Sequence, residues 1–268
     1  GSTFKLVVAA AALDSGQYTA DSQFPNPPQL QLPQSDSVII NSGGDDCGGA
    51  PTVSISDAIR LSCNIPFAEL GQAIGTRAIL AQAMKFGFNS SVSVPLESTP
   101  SVYPRALDEP QTMLSAFGQS SVRASPLQMA MVSMAIANGG TLMKPNLVES
   151  ITAPNLTVLQ SLEPSVYGQA MSRETAAAIT QMMVGSVSNG AASNARIDGV
   201  DVAGKTGTAE NGEGDPYTLW FTGFAPANDP QVVVAVVVEN GAGLGQSSYG
   251  NAIAAPIAKK VLEAVLFR

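Results

Sequence analysis

The segment Val232–Val238 reads Val-Val-Val-Ala-Val-Val-Val. β-Branched side chains fit extended backbone and crowd the preceding turn of a helix. A run without alternation leaves no face for solvent. It therefore predicts a strand over residues 231–239, central in a sheet and buried on both faces. Residues 219–225 are similarly apolar, and Pro226-Ala227-Asn228-Asp229-Pro230 lies between the two runs. Two apolar runs joined by a short Pro/Asn/Asp loop read as an antiparallel hairpin. Residues 200–209 read as a third strand.

Helices occupy most of what precedes. Residues 6–13 follow a Ser/Thr pair and read as a buried, Ala-rich helix that starts near Ser2 and stops by Gly16. Residues 17–53 are rich in Pro, Gly, Asn and Asp, a long surface excursion with one short strand at Val38–Ile40. Ser56 or Asp57 is expected to cap a short helix ending near Leu61. A second helix opens at Asn64, with Pro66 in its first turn, and a third covers residues 77–85. Residues 87–124 read as irregular. Ser125-Pro126 opens a helix that ends at Asn138 with Gly139-Gly140 behind it, apolar on nearly every side and so central. Ser172 starts another, running to about Val187. Residues 251–266 close the chain as an amphipathic helix with Ile253, Ile257, Val261 and Val265 on one stripe. Helices followed by antiparallel strands predict an α+β fold, helices packed on an antiparallel sheet. Its 268 residues, 45% of them apolar, are enough for one large domain.

Composition narrows the chemistry. The chain has no histidine, which removes Ser-His-Asp and Cys-His catalysis. Only Cys47 and Cys63 remain as soft ligands, so no metal site is expected. A net charge of −8 and no Lys/Arg cluster exclude a nucleic-acid footprint. The longest apolar runs are too short to span a membrane.

Three short elements carry reactive groups. In Ser2-Thr3-Phe4-Lys5 the lysine lies three residues after the serine, on the same side of a helix. A lysine amine with a lowered pKa can take a serine proton. The same four residues also read as a helix start with a solvated lysine. In Ser62-Cys63-Asn64 the serine can relay a proton and the amide can both donate and accept, or Asn64 can simply cap the second helix. In Lys205-Thr206-Gly207-Thr208 a glycine inside a strand suits close approach of another backbone, such as a peptide added along the strand. An ordinary solvated turn is the alternative.

Together, Ser-x-x-Lys, Ser-x-Asn and Lys-Thr-Gly in this order resemble the class B penicillin-binding proteins, for which this motif set is a known signature. The stretches Gly118-Gln119 to Gly139-Gly140, Ala203 to Glu210, and Trp220-Phe221-Thr222-Gly223-Phe224-Ala225-Pro226 resemble the same family. The resemblance implies the penicillin-binding/serine β-lactamase-like transpeptidase fold, with helices on both faces of the sheet. It also implies that N-terminal strands and a membrane anchor stand upstream of residues 1–268, which would be a transpeptidase domain truncated at its N-terminus.

The resemblance further implies roles. Ser2 would attack the carbonyl between the two D-alanines of a peptidoglycan stem peptide, with Lys5 as its base. Ser62 would pass the proton to the leaving D-alanine. Asn64 would hold the peptide amide, and Lys205 would orient Ser62 and keep the site positive. Thr206 and Thr208 would bind the terminal carboxylate beside Gly207, and the backbone N–H groups of Ser2 and Thr208 would form the oxyanion hole. β-Lactams would acylate Ser2, and no cofactor would be needed. A membrane glycosyltransferase and division or elongation proteins would be partners, at the extracytoplasmic face of the membrane. A D,D-carboxypeptidase, a serine β-lactamase or a β-lactam sensor shares the motifs. The Glu-x-x-Leu-Asn element of class A β-lactamases is missing between the second and third motifs. Outside the cytoplasm Cys47 and Cys63 can form a disulfide; otherwise they are two free buried thiols.

Overall fold

A helix apolar on all sides must be packed on all sides. The computed structural model, which describes residues 1–268, has such a helix at its centre. Residues Ser2–Phe4 form a 3-10 turn that runs into α1 (Lys5–Asp14), and every residue from Lys5 to Ala12 is buried. The helix packs against α3 (Ile65–Lys85) and α6 (Arg173–Asn189). In α3 the backbone leaves helical geometry at Gly75 (φ 78°, ψ 159°), so the element is two helices that meet at a kink, as the two separate helices read from the sequence suggest.

The excursion before α3 is more ordered than its composition indicates. It holds β1 (Gln23–Pro25), β2 (Gln29–Gln31), β3 (Val38–Ile40) and β4 (Thr52–Ser54), with β1 paired to β4 and β2 to β3. Helix α2 (Ile55–Leu61) follows. Its cap is Ser54, whose Oγ accepts from the Asp57 N–H at 3.0 Å, not Ser56 or Asp57 as expected. Residues 87–124 are not wholly irregular either. Helix α4 (Glu109–Ser115) starts with a capping box in which Asp108 and Gln111 satisfy each other's backbone amides.

Ser125 and Ser172 cap the next two helices as predicted, α5 (Pro126–Ala137) and α6. Between them lie two small pairs, β5 (Thr141–Met143) with β8 (Val166–Gln169), and β6 (Ser150–Thr152) with β7 (Val158–Ser161).

The main sheet is antiparallel, in the order β11 (Val232–Val238), β10 (Thr218–Ala225), β9 (Ala203–Ala209). Strand alternation divides β10 between two cores. Trp220 and Phe224 join the large core that includes α1 and α5, whereas Phe221 and Ala225 join α7 (Gly250–Leu266). Helices thus cover both faces, which is why β11 needs no polar face. The valine run is nevertheless an edge strand, not a central one. Only β10 pairs with it, and most of its residues are half-buried. Helix α7 also departs from expectation. It turns Ala254, Ala255, Ala258 and Leu262 to the sheet, while Ile257 and Val261 are 42% and 43% exposed. Small side chains let the helix sit close, and close packing outweighs the larger hydrophobicity of the Ile/Val stripe. No helix is long and apolar enough to cross a membrane.

Candidate active site

Placing Lys5 in the first turn of the most buried helix makes it a buried amine, with 0% of its surface exposed. A charged lysine there needs partners. Its Nζ lies 3.0 Å from Ser2 Oγ, 2.8 Å from Ser62 O and 2.8 Å from Asn64 Oδ1. The last two atoms only accept hydrogen bonds. A neutral amine that gives them its two N–H bonds aims its lone pair at the Ser2 hydroxyl, the arrangement a general base requires. The rings of Phe67 and Phe117, with centroids 5.7 and 6.0 Å from Nζ, wall this amine.

Ser62 and Asn64 stand in the turn between α2 and α3. Ser62 is the left-handed C-cap of α2, with φ 66°, a conformation that glycine or asparagine usually supplies. From it the Ser62 carbonyl meets Lys5 while the hydroxyl accepts from Lys205 Nζ at 2.7 Å. Asn64 occupies the N-cap position of α3 but makes no side-chain cap. Its Oδ1 serves Lys5 and its Nδ2 donates to Ile40 O at 3.0 Å. The plain capping role open to Asn64 in the sequence is therefore not the one it has. Cys63, between them, is fully buried and bonded to Cys47, with Cα atoms 5.7 Å apart. The two cysteines form a bridge rather than two free thiols.

Strand β9 brings the third motif against the Ser2 turn. A Cβ on Gly207 would lie 3.2 Å from both the backbone nitrogen and the Cγ2 of Thr3, so glycine permits the close approach the sequence suggested. Lys205 is also 0% exposed, and its Nζ donates to Thr206 O at 2.9 Å as well as to Ser62. The two threonines differ. Thr206 gives its hydroxyl proton to Ala191 O at 3.0 Å. Thr208 Oγ1 instead accepts from Gly250 N at 3.1 Å, which leaves its own proton free. Ser2, Ser62, Asn64, Thr206, Gly207 and Thr208 line one groove of about 1030 Å³. No set of three or more His, Cys, Asp and Glu side chains is gathered to hold a metal ion.

Residues from three distant parts of the chain thus meet in one hydrogen-bonded cluster. The family model for the penicillin binding protein transpeptidase domain matches residues 1–263. The chain belongs to the penicillin-binding protein transpeptidase family. It is 40% identical over 270 residues to the peptidoglycan D,D-transpeptidase PbpA of Mycolicibacterium smegmatis, covering 99% of this chain and 54% of that protein. It is 31% identical to the stage V sporulation protein D of Bacillus subtilis, over 98% of this chain and 41% of that one. Among solved structures, the ceftriaxone acyl-enzyme of penicillin-binding protein A from M. tuberculosis superposes with a TM-score of 0.95 at 39% identity, over 99% of this chain and 60% of that one. The chain spans about half the length of the curated relatives it matches.

The electrostatics of this penicillin-binding domain centre on its two lysines. Burial drives the Lys5 amine well below the ordinary lysine value, and the nearby charge of Lys205 pushes it the same way. Burial alone brings Lys205 down to about 7. Both shifts have the sign that desolvation gives a cation.

Two further residues belong to the site and escape a reading of the sequence. Asn41 Oδ1 accepts from the Asn64 and Ile65 N–H groups at 2.8 and 3.1 Å. The Gly250 N–H, at the start of α7, orients Thr208. Neither contact leaves a local pattern, because each joins segments far apart in the chain.

Proposed function

We propose that the chain is the catalytic part of a serine D,D-transpeptidase that cross-links peptidoglycan stem peptides and is inhibited by β-lactams. The observation that carries this reading is the convergence of Ser2 Oγ, Ser62 O and Asn64 Oδ1 on the buried Lys5 Nζ, with Lys205 on Ser62. Neutral Lys5 takes the proton as Ser2 Oγ bonds to the carbonyl carbon of the penultimate D-alanine. The N–H groups of Ser2 and Thr208 receive the oxyanion. The C–N bond breaks, and the proton on Lys5 passes through Ser62 to the departing D-alanine nitrogen. Lys205 stays protonated, orients the Ser62 hydroxyl and holds the field positive for the substrate carboxylate. Thr208, whose proton is free, is the principal hydroxyl donor to that carboxylate. Asn64 positions the peptide amide. The amine of a second stem peptide then attacks the ester, gives up one proton through Lys5, and restores the Ser2 hydroxyl.

The likeness to a protein named a peptidoglycan D,D-transpeptidase and to β-lactam acyl-enzymes supports this assignment. The bridge between Cys47 and Cys63 supports an extracytoplasmic location, where disulfides persist. In the same reading, upstream strands pair with the open edge of β11, since long apolar edges are normally covered, and an upstream anchor holds the domain at the membrane beside a glycosyltransferase and division or elongation proteins.

The test is incubation of the full-length protein with a stem peptide ending in D-Ala-D-Ala, with and without an amine acceptor peptide. Free D-alanine together with a cross-linked product supports the proposal. Hydrolysed peptide alone, with acceptor present, makes it a carboxypeptidase.

A further inference from the structure

Asparagine at an N-cap ordinarily turns its side-chain oxygen onto the amides of its own helix. Asn64 does not, because its Oδ1 accepts from Lys5. The N–H groups of Asn64 itself and of Ile65, which a side chain at the N-cap does not reach, also need an acceptor in this buried place. That acceptor is Asn41, which reaches in from the end of β3. Its Oδ1 takes the N–H of both Asn64 and Ile65, at 2.8 and 3.1 Å. Asn41 is only 1% exposed and is itself held, since its Nδ2 donates to Asn26 Oδ1 at 3.2 Å. Asn26 is completely buried and fixed in turn by Cys47 and Ala50, to whose carbonyls its Nδ2 donates at 2.8 Å. Cys47 is bonded to Cys63, the residue before Asn64.

We propose that Asn41, seated on Asn26, is a positioning residue for acylation: by taking the backbone N–H groups of Asn64 and Ile65, it fixes the turn that aims the Asn64 side chain at Lys5. Without Asn41 these two buried N–H groups lose their acceptor, at a cost in stability, and the turn shifts to find another. Asn64 cannot replace it, because a side chain at the N-cap reaches only the N2 and N3 amides, and N2 is Pro66, which has no N–H. The shift moves the Asn64 oxygen off Lys5, and geometry at the base is lost. This inference rests on the acyl-transfer reading and deepens it.

The test uses full-length protein and the rate of acylation by benzylpenicillin, with the variants N41A, N41D, N64A and N41A/N64A. N41D keeps an oxygen acceptor at the start of α3 and, as the neutral acid that burial favours, a donor to Asn26 Oδ1. N41A should acylate roughly 10- to 100-fold more slowly, the scale of a small misplacement at a reacting centre. N41D should restore most of that loss. In the N64A background, adding N41A should slow acylation no further. A purely structural role predicts instead that N41A slows acylation as much in N64A as in the parent, or that N41D is as slow as N41A, and either result overturns the proposal. If N41A does not fold, N41D decides alone: parental rates support the proposal and a loss equal to that of N64A refutes it. A parent that forms no adduct fails the acyl-transfer reading itself, whereas a parent and an N41A variant that acylate equally fast fail only this inference.

Discussion

Lys205 Nζ donates to the Ser62 hydroxyl at 2.7 Å, so the third motif orients the second across 143 positions of chain. The two lysines of the site are thereby divided. Lys5 touches the Ser2 hydroxyl and the Ser62 carbonyl, and Lys205 touches the Ser62 hydroxyl.

That division predicts a bell-shaped pH dependence for acylation. In the proposed mechanism Lys5 works neutral, so the rate climbs as pH rises through its lowered pKa. In the same mechanism Lys205 works charged, so the rate falls as pH passes about 7, where Lys205 loses its proton. Arginine stays charged over this range. Stopped-flow acylation of K205R should keep the acid limb and move the alkaline limb upward. An alkaline limb left in place would assign it to another group.

The same shift predicts a stability profile. Lys205 binds its proton below about 7 in the folded state and below its ordinary 10.5 when unfolded. Between these values the unfolded chain holds more protons, so stability rises with pH through this window. Denaturant midpoints measured from pH 6 to 10 should climb in the parent and climb less in K205M. Equal slopes would show that Lys205 is not a strained cation.

Thr206 and Thr208 should separate in their effects. Thr208 has a free hydroxyl proton and Thr206 has none. A hydrogen bond to a charged group contributes about 1.5–3 kcal/mol. T208V should therefore weaken acylation by a carboxylate-bearing penicillin by roughly 10-fold or more, since each 1.4 kcal/mol is tenfold. T206V should act mainly on thermal stability, because Ala191 O loses its donor. Equal kinetic losses would contradict the distinction.

The sequence disclosed the chemistry more fully than the packing. The motif residues are legible because their side chains have few other uses in combination, and Ser125-Pro126 and Ser172 mark helix starts through local hydrogen bonds. The cap of α2 shifted to Ser54 because Ser-Ile-Ser-Asp offers several capping side chains within one turn. Helix α4 had a readable signal in Asp108-Glu109-Pro110-Gln111. The three-residue strands β1, β2 and β4 are too short to show a period. The buried face of α7 is written in alanines, which hydrophobicity ranks below the Ile/Val stripe. Asn41 meets Asn64 only through the folded excursion, and no local rule signals it.

The Cys47–Cys63 bridge should contribute on the order of 3 kcal/mol in the chain-entropy model, given its sequence separation of 16. Equilibrium unfolding of C47A/C63A beside the parent checks this value, and an unchanged midpoint would mean that the buried asparagines hold the loop unaided.

The central claim is that Ser2 forms the acyl-enzyme. Intact-mass analysis of the full-length protein after incubation with benzylpenicillin, beside its S2A variant, tests it directly. A single stable adduct of the whole antibiotic on the parent, absent from S2A, is the expected result. The same adduct on S2A, or a folded parent that neither gains mass nor consumes the drug, would contradict it.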